Sequence, residues 1–292
     1  MVYKSQGEWG WRMAIEIFCG GTAGSTYILS VLPYLFFGGR IFLSGVLTSL
    51  VLVLISVFVL MTDLNSAWRA RRAFLNIQSP ISVGAISLSL FIILSVATVA
   101  MVYTGLLPGL LYLVAWLGVL ASLLTILYPG VLMGLMKAIP FWGGSGSPLL
   151  LLSASLVSGS AAATLVGGLS NVNFNLSRVT LSFLVIHGLF LFIYMMMGTQ
   201  GSKAAQISVQ RLIKGNLFSL FIIGVIAIGW VVPLLLYIVG IILSSATLLL
   251  VGSGLILIGG ILLRYSLIAS GVRVPVLRED SISATYWLYH RG

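Results

Sequence analysis

Residues 217–263 read LFSLFIIGVIAIGWVVPLLLYIVGIILSSATLLLVGSGLILIGGILL, and no charged side chain interrupts them. A helix needs roughly 20 apolar residues to cross the hydrocarbon core of a bilayer. Since this stretch is about twice as long as one crossing, it predicts two membrane-spanning helices joined by a very short turn. Pro233 is a candidate kink in the first helix of the pair.

The rest of the chain repeats this apolar pattern in shorter blocks. Of its 292 residues, 60% are hydrophobic and 7% are charged, whereas an ordinary soluble domain is about 25% charged. Irregular backbone is too costly in lipid, and the blocks are too long for barrel strands. The sequence therefore predicts an all-α integral membrane protein of about eight transmembrane helices, arranged as two packed bundles in one transmembrane domain, residues 1–292. The predicted spans are Met13–Phe37, Ile41–Met61, Ser82–Tyr103, Leu110–Met136, Leu149–Leu169, Val179–Met197, Leu217–Tyr237 and Leu243–Leu263.

Basic residues are distributed unequally between the two faces of this topology. An even number of crossings puts both termini on one side of the membrane, called the N side below. The opposite side carries Arg40 and Arg178, and the N side carries thirteen basic residues: Lys4, Arg12, Arg69, Arg71, Arg72, Lys137, Lys203, Arg211, Lys214, Arg264, Arg273, Arg278 and Arg291. The positive-inside rule then places the N side in the cytoplasm of a cell-membrane protein. We attribute the net charge of +10 to the basic residues that orient the protein in the membrane. Nucleic acid is therefore not an expected partner.

The longest predicted connecting segments also lie on the N side. They are Thr62–Ile81, Lys137–Pro148, Gly198–Asn216 and a cytoplasmic tail, residues 265–292. A soluble partner is therefore expected to dock on that face. The N-terminal residues lack the pattern of a cleaved signal peptide, so the first span is expected to be retained.

Ionisable side chains inside a membrane are costly, and each is by default a functional candidate. Glu16 lies one turn into the first predicted span, Asp63 follows the end of the second, and His187 is midway along the sixth. Both acids fall near the N side, where they are candidates for lining one pocket. Tyr128 ends the fourth span next to Pro129, which is expected to loosen the backbone locally.

Each candidate also has a purely structural interpretation. Glu16 has Arg12 four residues earlier as a partner on the same helix. Asp63 is suited to capping its loop or to neutralising Arg69 or Arg72. His187 is suited to a helix–helix hydrogen bond, and Tyr128 to the aromatic belt at the membrane interface.

The sequence also lacks the residues that several redox cofactors need. A bis-histidine haem needs two histidines facing each other within the membrane, but the chain has only His187 and the tail residue His290. The single cysteine, Cys19, cannot ligate an iron–sulfur cluster alone and is read as a small apolar side chain. No metal-ligand cluster or nucleotide-binding motif is present. The predicted cofactors therefore exclude haem and any metal centre on this chain.

Several segments together resemble the NrfD/polysulfide-reductase membrane-subunit family. The resemblance rests on the order and spacing of motifs across most of the chain: Gly20-Gly21-Thr22-Ala23-Gly24, Asp63-Leu64, Ser79-Pro80-Ile81-Ser82-Val83-Gly84-Ala85, Tyr128-Pro129-Gly130, Ser153-Ala154-Ser155 with Ser158-Gly159, and Leu263-Arg264-Tyr265. In the family pattern, Tyr128 matches a quinone-contacting tyrosine and Asp63 matches an acidic residue after the second span. Glu16 stands where some relatives have a histidine, so the sequence departs from the pattern there.

The resemblance implies the quinone-interacting membrane anchor of a respiratory oxidoreductase, in which the anchor exchanges electrons between the quinone pool and an iron–sulfur, ferredoxin-like subunit. That subunit serves a molybdenum- or tungsten-containing catalytic subunit acting on sulfur compounds or related substrates, often in anaerobic respiration. The implied cofactor is menaquinone or another quinone. Many relatives place these subunits outside the cell, whereas the charge distribution here predicts the inside.

The residues suggest how such a site works. Glu16 or Asp63 is expected to exchange protons at the quinone oxygens, and Tyr128, Asn76 or Ser79 to hold the head group by hydrogen bonds. The rival interpretation is a secondary transporter or proton-translocating protein, with a path on the far side built from His187, Arg178 and the asparagines Asn171, Asn173 and Asn175. The sparse membrane charge and the absence of an obvious internal repeat weigh against it.

Overall fold

The computed structural model of the protein describes residues 3–63, 80–105, 108–168 and 174–274. Within these ranges, eight helical segments are long and apolar enough to cross a membrane. This confirms the predicted all-α class and the number of crossings. Asn76 and Ser79, the loop asparagines Asn171 and Asn173, and the tail beyond Val274 lie outside the described residues.

The helices follow one another along the chain. The first six crossings are α1 (Trp11–Phe37), α2 (Leu43–Asp63), α3 (Pro80–Thr104), α4 (Pro108–Gly134), α5 (Gly146–Gly168) and α6 (Phe174–Gln200). A shorter helix, α7 (Lys203–Ile213), separates them from the last two crossings. The seventh crossing is a π-helical segment (Ser219–Val231) continued by α8 (Val232–Ile242), and the eighth is α9 (Ala246–Ser270).

The seventh crossing changes its winding at the proline that the sequence marked as a candidate kink. Pro233 lies in the first turn of α8. Its ring has no N–H to donate and crowds the preceding turn. The helix is π-wound up to Val231 and α-wound from Val232.

The turn between the last two crossings lies further along the chain than predicted. The sequence placed it between Tyr237 and Leu243, but α8 continues to Ile242 and the turn is formed by residues 243–245. Ser244 adopts a left-handed backbone with φ 50°. The prediction failed because the apolar residues before Leu243 fit a helix as well as a turn, and only the two serines mark the reversal.

The last helix is also longer than predicted, which changes the interpretation of one charge. The predicted span ended at Leu263 and the tail began at Tyr265, but α9 continues to Ser270. Arg264 is therefore a membrane-helix residue and not a loop cation. Its removal from the charge count leaves twelve basic residues on the N side instead of thirteen.

Two bundles form around separate apolar clusters. The first, α1 to α4, surrounds a cluster that includes Tyr27, Phe91 and Val119. The second, α5, α6, α8 and α9, surrounds one that includes Leu184 and Tyr237. A third cluster covers the N-side ends of the helices. Its members include Trp142, Leu212 and Leu267.

The two bundles meet where α1 packs against α5, the two crossings that are most deeply buried. A Cβ on Gly159 would lie 2.3 Å from the Cβ of Ser25, so only glycine allows this approach. Close approach brings polar groups together: the Thr22 hydroxyl donates to the Ser158 hydroxyl at 2.9 Å. Small residues and hydroxyl contacts of this kind hold helices together in membranes.

The two ends of the described chain meet on the N side. Residues Lys4–Ser5 (β1) pair antiparallel with Val272–Arg273 (β2). The chain's first and last described segments are thus adjacent. Their position on the same side of the membrane agrees with an even number of crossings.

Candidate functional site

Glu16 is buried inside the first bundle, close to the N side. It lies in the second turn of α1 and is 3% exposed. The Tyr128 hydroxyl, from α4, donates a hydrogen bond to Glu16 Oε1. The structure therefore brings together two of the side chains that the sequence marked, and this contact is called the pair site below.

The other helices of the first bundle support the pair site. The Ser56 hydroxyl of α2 donates to the backbone oxygen of Glu16 at 3.1 Å. The Tyr128 ring lies directly against Gly84 of α3, where a Cβ would come within 2.6 Å of the ring. Glycine in the Ser-Pro-x-x-x-Gly pattern thus leaves the space that the tyrosine ring occupies. Arg12, the alternative partner of Glu16, is exposed one turn earlier on α1.

The remaining predicted members of this site are only partly described. Asp63 is the last residue of α2 and ends that helix on the N side, the side where α1 begins. Its side chain, and all of Asn76 and Ser79, lie outside the described parts of the chain. Their place in the site stays a prediction.

His187 lies in the second bundle, away from the pair site. It is 7% exposed, and its Nδ1 atom lies 2.9 Å from the Ser153 hydroxyl of α5. It also lines a cavity of about 20 Å³, together with Trp230 and Gly259. Most of the other residues that line this cavity are apolar, including Leu191 and Val225.

The structure does not bring Arg178 to His187. Both are on α6, but nine residues separate them, which corresponds to roughly 13 Å along the helix and to opposite faces. Arg178 is exposed near the start of the helix, and so is Asn175. The candidate proton path through His187 and Arg178 stays a prediction.

Arg264 is a buried charge that the sequence interpretation missed. It is 1% exposed in α9. Its Nη1 donates to the Gly260 carbonyl at 2.9 Å and its Nη2 donates to the Ser155 hydroxyl at 3.1 Å. Its guanidinium carbon lies 5.2 Å from the centre of the Phe18 ring. Arg264, Ser155 and Phe18 are called the cation site below.

The cation site lacks a negative partner within the described residues. No carboxylate pairs with Arg264 there, and its Nε atom is buried without a hydrogen-bond partner in the same part of the chain. Gly21 of α1 leaves room for the contact, because a Cβ there would lie 2.3 Å from the Ser155 hydroxyl and 3.4 Å from Arg264 Nη2. Residues from three helices thus enclose the guanidinium.

A signal for Arg264 was present in the sequence. The apolar pattern resumes immediately after it, in Leu267, Ile268 and Ala269. A charge flanked on both sides by apolar residues belongs within a span as readily as at its end.

The pair site combines groups that are suited to proton exchange with a carbonyl-type ligand. A carboxyl can accept or donate a proton, and a phenol donates a hydrogen bond and can accept one. Among the described residues, no three His, Cys, Asp or Glu side chains come close enough together to hold a metal ion.

The chain matches the model of a known protein family. A family profile described as "Polysulphide reductase, NrfD" matches residues 3–275, which is nearly the whole chain. No curated protein matches the chain.

Proposed function

The chain belongs to the polysulphide reductase NrfD family, a family of membrane subunits, and we propose that it is the quinone-handling anchor of a respiratory oxidoreductase. In this role it exchanges electrons between the quinone pool and an iron–sulfur partner subunit, with proton uptake or release at the quinone. The partner in turn serves a molybdenum- or tungsten-containing catalytic subunit. The quinone is menaquinone or a related molecule.

The observation that supports this proposal best is the hydrogen bond from Tyr128 to Glu16. It joins a carboxyl and a phenol inside the first bundle, close to the N-side ends of α1 and α4. Burying a carboxyl away from water is costly, and such groups inside membranes usually serve function. The donor set also fits a quinone, whose two carbonyl oxygens need hydrogen-bond donors and exchangeable protons.

Each residue of the site has a distinct part in the proposed mechanism. When bound, the quinone supplies a two-electron, two-proton couple. The Glu16 carboxyl would hold or accept a proton, and the Tyr128 hydroxyl, whose single proton is donated to Glu16 Oε1 in the structure, would donate it to a quinone oxygen instead. Gly84 has no side chain, so the Tyr128 ring can lie directly against the backbone of α3.

We assign the further members of the pocket by their positions in the chain. Asp63 ends α2 on the N side and is a second candidate for proton exchange. Asn76 and Ser79 precede α3 and are candidate hydrogen-bond donors to the head group. His187 and Arg178 are not needed for this chemistry.

The N side is proposed to face the cytoplasm and to bind the iron–sulfur subunit. The twelve basic residues on this side support both assignments, because they satisfy the positive-inside rule and would attract an acidic partner. Labelling of a cysteine introduced into the tail tests the orientation. If the cysteine reacts only with reagent added outside the cell, the N side faces outward and the proposed orientation is wrong.

Quinone turnover by the assembled complex tests the assignment of the pair site. Tyr128→Phe removes only the hydroxyl and is expected to lower turnover on the order of 100-fold, the usual contribution of a positioned proton donor. Tyr27→Phe is the matched control, since Tyr27 is a buried tyrosine of the same bundle whose hydroxyl contacts Thr98 at 2.8 Å. An unchanged rate in Tyr128→Phe, or an equal loss in both variants, would refute the assignment.

A further inference from the structure

A groove opens on the N side along α7, outside the pair site. It has a volume of about 590 Å³ and is lined mainly by residues of α7 and of the turn that follows it. Ligand pockets in proteins usually measure roughly 300–1,000 Å³. The groove is therefore large enough for a small molecule or for the head group of a lipid.

The position of α7 places this groove at the membrane surface. The helix lies between the end of α6 at Gln200 and the start of the seventh crossing at Ser219. One face, with Val209 and Leu212, is buried against the protein, and the opposite face is polar and exposed. Because α7 connects the N-side ends of two crossings, we expect the groove to lie near the depth of the lipid head groups.

Among the described residues, the groove is lined by cations and hydrogen-bond donors and by no acid. Arg211 and Lys214 line it together with Gln206 and Gln210, and no acidic residue occurs between Thr199 and Asn216. Within the described part of the chain, Arg211 makes two side-chain hydrogen bonds, to Asn216 Oδ1 and to the Ser270 carbonyl, and both are long, at 3.5 Å. Bonds of that length are weak, so they use little of the donor capacity of Arg211.

Three apolar side chains also line the groove. Ile207 and Ile213 are partly buried and Val209 is buried. A soluble anion such as free phosphate has no use for an apolar wall, whereas a lipid joins its phosphate to a glycerol and acyl chains. Basic pockets beside membrane helices commonly hold anionic head groups.

We propose that this groove is a binding site for an anionic phospholipid. Arg211 and Lys214 hold the head-group phosphate, Gln206 and Gln210 bind its polar oxygens, and Ile207 and Ile213 contact the start of the acyl chains. The bound lipid would contact both α7 and the end of α6, whose Thr199 also lines the groove. This site is independent of the quinone pocket.

Lipid binding by the full-length protein, with the subunits that co-purify, tests the proposal. Short-chain phosphatidylglycerol is titrated into the delipidated protein, with phosphatidylcholine and inorganic phosphate as parallel arms. A cation near the surface favours an anionic lipid about 5-fold, so the two groove cations together give a preference of about 25-fold over phosphatidylcholine. Arg211→Gln with Lys214→Gln is expected to abolish that preference.

Two matched variants make the result specific. Lys203→Gln removes a charge from the same helix, but Lys203 does not line the groove, so it should leave the affinity within about 2-fold of the wild type. Arg211→Lys with Lys214→Arg keeps both charges and should retain most of the binding, which separates charge loss from misfolding.

Four outcomes would overturn the proposal. They are equal affinity for both lipids, equal loss in Lys203→Gln and the groove variant, binding of inorganic phosphate as tight as that of the lipid, and loss of a co-purifying subunit from the groove variant with its lipid preference intact. The last result would show that the groove binds an acidic protein instead.

Discussion

The pair site and the cation site both bury charged or proton-exchanging groups, but they do so in different ways. In the pair site, Glu16 and Tyr128 bond to each other, and each can give up or take a proton. In the cation site, Arg264 bonds to a hydroxyl and to a carbonyl of its own helix. A guanidinium is not deprotonated in proteins, so that site holds a fixed charge.

This difference indicates where chemistry and packing lie in the molecule. The pair site is at the N-side end of the first bundle, where α1 begins and α2 and α4 end. The cation site lies at the junction of the two bundles, where Gly21 of α1 meets Ser155 of α5. We therefore expect substitutions in the pair site to change turnover, and substitutions in the cation site to change stability.

The largest expected effect comes from exchanging the charged group in each site for a close mimic. Glu16→Gln keeps the shape and can still accept a hydrogen bond from Tyr128, but it cannot transfer a proton. Quinone turnover should fall about 100- to 10,000-fold, with little change in the melting temperature of the purified complex.

Arg264→Lys is the companion variant. Lysine retains the charge but cannot reach both acceptors in the same geometry, so the melting temperature should fall while turnover per folded complex stays within about 3-fold. The comparison between the sites fails if Arg264→Lys lowers turnover as strongly as Glu16→Gln in a protein that melts normally.

The next largest effect is expected at the contact that encloses the cation. Gly21→Ala would put a Cβ 2.3 Å from the Ser155 hydroxyl, so Ser155 must rotate away from Arg264. Overpacking of this kind costs about 1–3 kcal/mol, measurable as a lower melting temperature. The control is Gly254→Ala in α9, where a Cβ would meet nothing within 4 Å.

A double variant shows whether the loss acts through the cation site. In a Ser155→Ala background the hydroxyl that the new methyl group would strike is gone, so Gly21→Ala should cost less than it does in the wild type. Additive losses would mean that Gly21 acts through a different contact.

The fold was largely predictable because lipid imposes a strong rule on sequence. A span must be apolar over its whole length, so uncharged blocks such as residues 217–263 specify crossings directly. The rule says little about where the chain turns within an apolar segment that is long enough for two crossings. The predicted turn was therefore misplaced by several residues. The amphipathic helix α7 was taken for a loop because half of its residues are polar.

The candidate site was predictable only where a charge is isolated in an apolar segment. Glu16 stands out for that reason, whereas its contact with Tyr128 depends on how α1 and α4 pack, which sequence spacing does not reveal. Arg264 was missed because a charge at the edge of an apolar block was assumed to end it. What marks it as a buried residue is the packing of Gly21, Phe18 and Ser155 around it.

The smallest expected effect compares one hydroxyl beside Glu16 in the first bundle with one beside His187 in the second bundle. Ser56→Ala removes a donor to the Glu16 backbone oxygen, but a carbonyl has a second lone pair and lies within a helix, so the cost should be about 0.5–1.5 kcal/mol. Ser153→Ala removes the hydroxyl beside His187 Nδ1.

Whichever ring nitrogen of His187 bears the proton, Nδ1 then loses its partner inside the protein. A buried polar atom without a partner costs about 1–3 kcal/mol, so Ser153→Ala should melt at a lower temperature than Ser56→Ala. For turnover we expect the opposite ranking, with a small loss in Ser56→Ala, because Ser56 supports the helix turn that positions Glu16, and none in Ser153→Ala. A turnover loss confined to Ser153→Ala would place His187 in the reaction and would reverse the roles assigned to the two bundles.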